Sequence, residues 1–279
     1  MNKWILLLLA GGQLLAEPQM NSNLVVLQGR IDFFRGCAVH SPLPEAFFQE
    51  TAESSLYSMG ADYAPTNGVM ERDQDRVLSE REIAQTVQFF KGKDLPFIWW
   101  TASKNLEGKG FQFGGILTGI SRDLSKGLPP KPAVSSGLEI RKIHSEEDLR
   151  TFAHLIAMGF GCGKAEEDYF QINRASLKEQ VHFLALFDGV PVGTATLAAG
   201  PVSGGIWNLA THSGYRKKGI GSALIYAALE EAVKRGCPQA MAILMPKGLA
   251  WGVFAKMGFA EACQFPFYVY GVSAEELEK

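Results

Sequence analysis

The sequence is short of the residues and runs that define several protein classes. Its 279 residues include only four cysteines, which are far apart and form no C-x-x-C pair: Cys37, Cys162, Cys237 and Cys263. This excludes a disulfide scaffold and a zinc finger, and it predicts reduced, mostly buried thiols in a cytoplasmic protein. Neither sign of charge dominates, because the formal net charge is −2. A global positive field that would recruit nucleic acid or an anionic membrane is therefore excluded.

Long apolar runs are also missing. The longest begins the chain, and its apolar part from Trp4 to Ala16 is too short to span a bilayer. Residues Met1 to Ala16 have the outline of a signal peptide, but there is a single positive charge and Leu14 stands where a cleavage site needs a small residue. We predict a buried first helix in a cytoplasmic protein, with an exported protein as the alternative.

The composition that remains is that of a globular protein, with 47% apolar and 20% charged residues. The length predicts two domains or one large one. Residues 125–137 (SKGLPPKPAVSSG) carry three prolines, two glycines and three serines, which is typical of a linker. We therefore predict an N-terminal domain over 1–124 and a C-terminal domain over 138–279.

Hydrophobic periodicity predicts a mixed α/β fold. In the first half we expect a hairpin over Asn23 to Ala38 that turns at Gln28-Gly29-Arg30, a helix over Ser79 to Lys91 and a strand over Leu95 to Trp100. In the second half we expect a strand over Leu138 to Ile143, a helix from Ser145 to about Met158, another over Lys164 to Gln180, a hairpin turning at Asp188-Gly189 and a strand over Ile206 to Thr211.

The most informative segment is a basic, glycine-rich turn between that last strand and a helix. It reads Arg216-Lys217-Lys218-Gly219-Ile220-Gly221, and Ser222 follows in the first helical turn. A helix N-terminus has unpaired N–H groups and a partial positive charge, so it binds anions. Glycines at this place let a phosphate approach the backbone. The segment therefore predicts a site for a pyrophosphate or a similarly anionic group.

Two common phosphate-binding motifs do not fit. The Rossmann fingerprint needs a third glycine where Leu224 stands. A P-loop would need Ser or Thr after Gly163-Lys164, where Ala165 stands. What does fit is R-x-x-G-x-G opening a helix directly after a strand.

In this respect the sequence resembles the GNAT family of acetyl-CoA-dependent N-acetyltransferases. Arg216-x-x-Gly219-x-Gly221 matches the cofactor-loop signature of that family. Lys247 to Phe259 (KGLAWGVFAKMGF) is similar to the family's later helix, which ends in a Gly-Phe pair, here Gly258-Phe259. The resemblance covers about Leu138 to Tyr270, with both motifs in the usual order and spacing.

The resemblance implies a mixed-sheet GNAT fold and acetyl-CoA as co-substrate, with no metal. The pantetheine arm would pair with the backbone of Leu209, Ala210 and Thr211. The pyrophosphate would be held by the backbone N–H groups of Arg216, Lys217, Lys218, Gly219, Ile220 and Gly221, with Ser222 beside them. The activity implied is direct acetyl transfer to an amine, and we expect a small acceptor lying between the two halves.

One departure from the family pattern concerns the general acid. Many members have a Tyr five residues before the Phe of the Gly-Phe pair, and Phe254 stands there. Either another group or water replaces it, or turnover is slow, or the protein is a non-catalytic CoA-binding or scaffold protein with a degenerate active site. No general base stands out. His212 and Asn208 are more typical of loop and strand-end polar residues, Tyr268 and Tyr270 of strand aromatics, and His154 with Cys162 fits no metal-ligand spacing.

The first half is similar, more faintly, to the N-terminal half of tandem GNAT proteins. It has a helix, the apolar run ending in Trp99-Trp100 and a Gly-Phe pair at Gly110-Phe111. No R-x-x-G-x-G occurs before Gly137, so we expect no CoA binding here. We expect Trp99 and Trp100 in the core, with one of them lining a substrate cleft as the alternative.

Overall fold

One mixed sheet forms the backbone of the protein. The computed structural model describes residues 21–246 and 248–272. Within those ranges the helices are α1 (Ser22–His40), α2 (Glu80–Lys91), α3 (Glu146–Phe160), α4 (Glu166–Ser176), α5 (Ile220–Lys234) and α6 (Leu249–Lys256). The strands are β1 (Phe47–Glu50), β2 (Ser54–Ser58), β3 (Asn67–Glu71), β4 (Phe97–Trp100), β5 (Phe111–Asp123), β6 (Leu138–Lys142), β7 (Gln180–Phe187), β8 (Val190–Ala199), β9 (Gly204–Thr211), β10 (Gln239–Leu244) and β11 (Ala260–Tyr270).

The order of the strands shows that the two halves of the sequence share this sheet. The order is β1-β2-β3-β4-β11-β5-β10-β9-β8-β7-β6. The last strand of the second half, β11, therefore lies between β4 and β5, and β5 lies between β11 and β10. The pairings are antiparallel except for β3 with β4 and β9 with β10, which are parallel. Each half thus contributes one parallel pair, joined through one helix, α2 or α5.

Helices cover both faces of the sheet. On one face, α5 and α6 pack on the second half through the fully buried side chains of Leu224 and Phe254. On the same face α2 packs on the first half through Ile83 and Phe90. The other face is covered by α1 over the middle of the sheet and by α3 and α4 over β7 and β8.

The prediction of a hairpin over Asn23 to Ala38 is wrong, because these residues lie in helix α1. Its buried residues recur every three or four positions, as on the covered face of a helix: Val25, Val26, Gly29, Arg30, Ile31, Phe33, Phe34, Cys37 and Ala38. Gly29 is not a turn residue. A Cβ there would lie 2.6 Å from Ser203 Oγ and 2.8 Å from Met241 Cγ, so this glycine lets the helix pack closely on β10 and on the residue just before β9.

The other elements expected from the sequence are present. Ser79 caps α2 with the capping box that its spacing to Glu82 predicts, and Ser145 caps α3. The turn at Asp188-Gly189 joins β7 to β8, and both residues have positive φ. The segment over 125–137 contains no helix or strand. The first helix expected within Met1 to Ala16 lies outside the described residues.

Both tryptophans of the first half are core residues, as expected. Trp99 is 1% exposed, faces α2 and donates a hydrogen bond to Glu71 Oε1 at 2.9 Å. Trp100 faces α1 and donates to Tyr57 Oη at 3.0 Å. Between Trp100 and Phe265 lies the guanidinium of Arg30, which is fully buried. Burial lowers the pKa of Arg30 to about 10.

Candidate functional site

The two parallel strands of the second half separate soon after they meet. β9 pairs with β10 only at Gly204 with Ala240 and Gly205 with Met241. β9 then continues to Thr211 along β8, and β10 continues to Leu244 along β5. The edge of β9 that faces β10 is therefore unpaired over its second part, within the described residues. This leaves a wedge-shaped opening in the sheet.

A bulge in β9 lies at the start of this opening. The register with β8 shifts between the pairs Thr196 with Trp207 and Thr194 with Ala210. Asn208 lies in the bulge with φ +52°, which is unusual for a residue with a side chain. Two threonines of β8 hold it: Thr194 Oγ1 donates to the Asn208 carbonyl at 2.7 Å, and Asn208 Nδ2 donates to Thr196 Oγ1 at 3.1 Å.

Backbone groups beyond the bulge face the opening. The His212 N–H donates to the Val192 carbonyl of β8 at 2.8 Å. Because backbone groups alternate along an antiparallel pair, Ala210 also faces β8, while the Leu209 carbonyl and the Thr211 N–H face the other way. These two groups are an acceptor and a donor to which an extended molecule could pair as an added strand.

The predicted anion loop follows directly. Gly219 is the N-cap of α5 and has φ +82°, a conformation that a side chain disfavours. No side chain caps this helix end, so the first N–H groups of the 15-residue helix have no intrahelical partner. At Gly221 there is room, since a Cβ would meet only Val253 Cγ1, at 3.8 Å. The result is an open, electropositive helix end beside the opening in the sheet.

The basic side chains of the loop point in different directions. Arg216 and Lys217 are exposed, and Arg216 Nε donates to the Thr211 carbonyl at 3.4 Å. The Lys218 ammonium lies instead 4.3 Å from the ring centre of Phe187 and 5.1 Å from that of Tyr215. Ile220 is buried and Ser222 half-buried in the first turn of α5. The sequence-predicted residues from Leu209 to Ser222 therefore lie together at one end of β9.

The side chains considered for acid–base chemistry make packing contacts or local hydrogen bonds. Phe254 is 1% exposed and packs edge-on against Phe259, with ring centres 5.0 Å apart. Tyr268 and Tyr270 pack with the aromatic residues under α2, and Tyr268 Oη donates to Glu107 Oε1 at 3.4 Å. His212 is exposed, and its Nδ1 accepts from the Gly214 N–H at 3.2 Å. The tyrosines are thus strand aromatics, as expected, and His212 is a loop residue.

A buried polar chain behind the bulge was not predicted from the sequence. His182 on β7 lies 2.9 Å from Thr196 through its Nδ1, and Thr196 contacts Asn208. Burial lowers the pKa of His182 to about 4, so the ring is neutral at pH 7 and can accept the threonine hydroxyl hydrogen. The available signal was three polar residues, His182, Thr194 and Thr196, on otherwise apolar strands.

Other polar clusters offer little chemistry. His154 Nδ1 lies 3.0 Å from Glu166 Oε2, and burial raises the pKa of the Cys162 thiol to about 11. In residues 21–246 and 248–272 no three His, Cys, Asp or Glu side chains are grouped to hold a metal ion. Across the same described ranges, none of the helices combines the length and the apolar character needed to cross a membrane.

The site geometry agrees with a comparison of the sequence with known families. Residues 146–259 match the sequence model of the acetyltransferase (GNAT) family. That range contains α3 to α6, the opening between β9 and β10, and the loop before α5. Over these residues the second half of this chain is similar to the acetyltransferase (GNAT) family.

Solved structures resemble nearly the whole chain. A GCN5-related N-acetyltransferase from Kribbella flavida is similar with a TM-score of 0.62 and 12% identity, covering 91% of this chain and 98% of that one. A GCN5-related N-acetyltransferase from Sphaerobacter thermophilus gives 0.57 and 14%, covering 89% and 92%. A tandem GNAT protein from the clavulanic acid biosynthesis pathway, solved without AcCoA, gives 0.55 and 14%, covering 91% and 98%. These likenesses establish the GNAT fold.

Proposed function

We propose that the protein transfers an acetyl group from acetyl-CoA to an amine of a small acceptor. The observation that carries this proposal is the opening between β9 and β10, which leads straight into the uncapped N-terminus of α5. The pantetheine arm would pair with the Leu209 carbonyl and the Thr211 N–H. The pyrophosphate would accept hydrogen bonds from the backbone between Arg216 and Gly221, with Ser222 beside it.

The chemistry is a direct displacement in a ternary complex. The amine nitrogen forms a bond to the thioester carbon, the carbon–sulfur bond breaks, and the thiolate takes up a proton while the amine loses one. A backbone N–H between Leu209 and Thr211 would stabilise the negative charge that develops on the carbonyl oxygen. The chain Asn208–Thr196–His182 holds the bulge that aims this segment at the opening.

We also propose that the two halves are tandem GNAT-like units, over 1–124 and 138–279, of which only the second binds CoA. The parallel pair β3 with β4, joined through α2, repeats the topology of β9 with β10 joined through α5. A cytoplasmic location is part of the proposal. It is supported by free cysteines, of which Cys37, Cys162 and Cys237 are buried.

The cofactor site can be tested with Gly221→Trp. The indole would fill the space above the first turn of α5, so we expect acetyl-CoA affinity in calorimetry to fall by 100-fold or more, on the order of 3 kcal/mol. The matched control is Asp75→Trp, an exposed position in the corresponding segment between β3 and α2. It should leave the affinity unchanged. Unchanged affinity in Gly221→Trp would refute the loop assignment.

A second candidate function is a non-catalytic CoA-binding protein. It is favoured by Phe254, which carries no proton to give to a thiolate and is buried in the core. A thiol-release assay over a panel of amines separates the two functions when acetyl-CoA binds. Phe254→Tyr sharpens the result, because a rise in rate would identify the missing acid as the limiting feature.

A further inference from the structure

A cavity lies where the two halves of the chain meet. It has a volume of about 430 Å³, which suits a small molecule. The first half contributes the turn before β3 and the start of β4, and the second half contributes the α3–α4 connection and the end of β11. The lining residues that matter for its chemistry are Asp62, Tyr63, Phe160, Lys164 and Phe267.

This cavity and the open end of β9 lie at the same edge of the sheet. β10 ends at Leu244, opposite Thr118, and Phe267 pairs with Gly115, three residues before Thr118 in the antiparallel strand β5. The cavity therefore begins beyond the end of β10. One of its walls continues from α3, whose Gly159 packs so closely on β9 that a Cβ there would lie 2.8 Å from the Ala210 side chain.

The walls are largely apolar and aromatic. Phe160, Phe267 and Tyr63 contribute rings to the lining. The ring centre of Tyr63 lies 6.2 Å from that of Tyr169. Burial raises the pKa of Tyr63 to about 12, so this phenol is neutral at physiological pH. Aromatic faces attract cations as well as apolar groups. The walls thus favour an apolar ligand that carries a positive charge.

A carboxylate, that of Asp62, provides the matching negative charge. Asp62 is exposed at the rim, and in the described part of the chain it has no ion-pair partner within 4.0 Å. Asp168 is half-buried next to it: burial, then the charges of Asp62 and Glu167, raise the pKa of its carboxyl. Lys164 is the cationic lining residue, and it forms no ion pair with Asp62. Asp62 is therefore the lining carboxylate, and neither an ion pair nor the lining cation Lys164 neutralises it directly.

We propose that this cavity binds the acceptor as a primary ammonium on an apolar body, and that Asp62 is the residue that selects the positive charge. This inference rests on the proposed function for its chemistry and adds the substrate class. The first half would then take part in acceptor binding, since Asp62 and Tyr63 come from that half. The acceptor would enter as a cation and meet the thioester at the neighbouring open end of β9.

The test is direct binding, measured by calorimetry, of amines from butylamine to phenethylamine, with 2-phenylethanol as the neutral probe. We expect phenethylamine to bind at least 10-fold tighter than 2-phenylethanol. Asp62→Asn should remove that preference, and Phe160→Ser should weaken both ligands. Asp75→Asn, an exposed aspartate beyond the far end of β3, is the matched control and should change neither. Equal binding of the amine and the alcohol, or an unchanged preference in Asp62→Asn, would overturn the proposal.

Acetyl-CoA affinity, measured on the same samples, separates this proposal from the proposed function. Acetyl-CoA binding without any amine binding would overturn the cavity assignment and leave the cofactor site standing. Amine binding that depends on Asp62, without acetyl-CoA binding, would support the cavity and sink the acetyltransferase.

Discussion

The two parallel strand pairs of the sheet have the same topology, but one pair separates and the other stays closed. β9 and β10 separate after two residue pairs, whereas β3 and β4 stay paired from Gly68 with Ile98 to Met70 with Trp100, the last residue of β4. At Gly68 the strands are so close that a Cβ would clash with the Ile98 carbonyl oxygen. One pair forms an opening and the other a closed piece of sheet.

Polar as well as apolar residues hold β3 and β4 together. Glu71 at the end of β3 is fully buried, accepts from Trp99 Nε1 at 2.9 Å and pairs with Arg76 at 3.0 Å. The helix that follows also differs. The Ser79 hydroxyl accepts from the Glu82 N–H and the Glu82 carboxylate accepts from the Ser79 N–H, whereas no side chain caps α5. A helix end that is already capped is not free to bind an anion.

This comparison teaches that the topology alone does not make a cofactor site. An open site needs a bulge to separate the strands, a loop with a residue of positive φ and an uncapped helix end. The second half has all three, at Asn208, Gly219 and Ile220. The first half has a straight strand and a capped helix, and Glu71 with Arg76 occupies the end of β3.

Breaking the closed pair should have the largest effect on stability. Glu71→Ala leaves Trp99 Nε1 without its partner in the core and Arg76 without its buried carboxylate. We expect the free energy of unfolding to fall by about 3 kcal/mol, as for other broken buried pairs. Chemical denaturation checks this value. Acetyl-CoA affinity should not change, and a loss of affinity in a folded Glu71→Ala protein would contradict the separation of roles.

Removing the helix cap of the first half should have a smaller effect. Ser79→Ala removes the acceptor for the Glu82 N–H, so we expect a loss of about 1 kcal/mol in the free energy of unfolding. Gly221→Ala is the matched change in the first turn of α5, where no cap exists to be lost. It should cost less than Ser79→Ala in the same denaturation experiment, and the reverse order would show that the comparison of the two helix ends is wrong.

The smallest effect is the pH dependence that Glu82 adds to the stability of the first half. Hydrogen bonds from Ser79 and then Arg76 lower the pKa of Glu82 from its ordinary value of 4.5 to about 2. Its contribution to stability is therefore complete above about pH 4.5 and is lost as the pH falls towards 2. Because the side chain is substantially exposed, solvent screening keeps this contribution small. In chemical denaturation, Glu82→Gln should make the unfolding midpoint less sensitive to pH between those values. An unchanged dependence of the midpoint on pH in that range would contradict this account.

The sequence predicted the second half better than the first because its signals are local. The turn at Asp188-Gly189, the cap at Ser145 and the loop from Arg216 to Gly221 each depend on neighbouring residues. The prediction over Asn23 to Ala38 failed because a glycine such as Gly29 is typical of a turn. The close contact of Gly29 with Ser203 and Met241, residues far away in the sequence, cannot be read from its neighbours. The placement of β11 between β4 and β5 is likewise a property of distant pairing. The cavity at Asp62 follows from that placement.

Amide hydrogen exchange with and without acetyl-CoA is the most direct test of the central claim, which is that one of the two parallel pairs is open to the cofactor. We predict that acetyl-CoA slows exchange in the peptides that cover Thr211 and residues 216–222. Exchange in the corresponding segments, β3 and residues 72–82, should stay the same. Equal protection of both regions, or protection of β3 and α2 without that of β9 and the loop, would contradict the account.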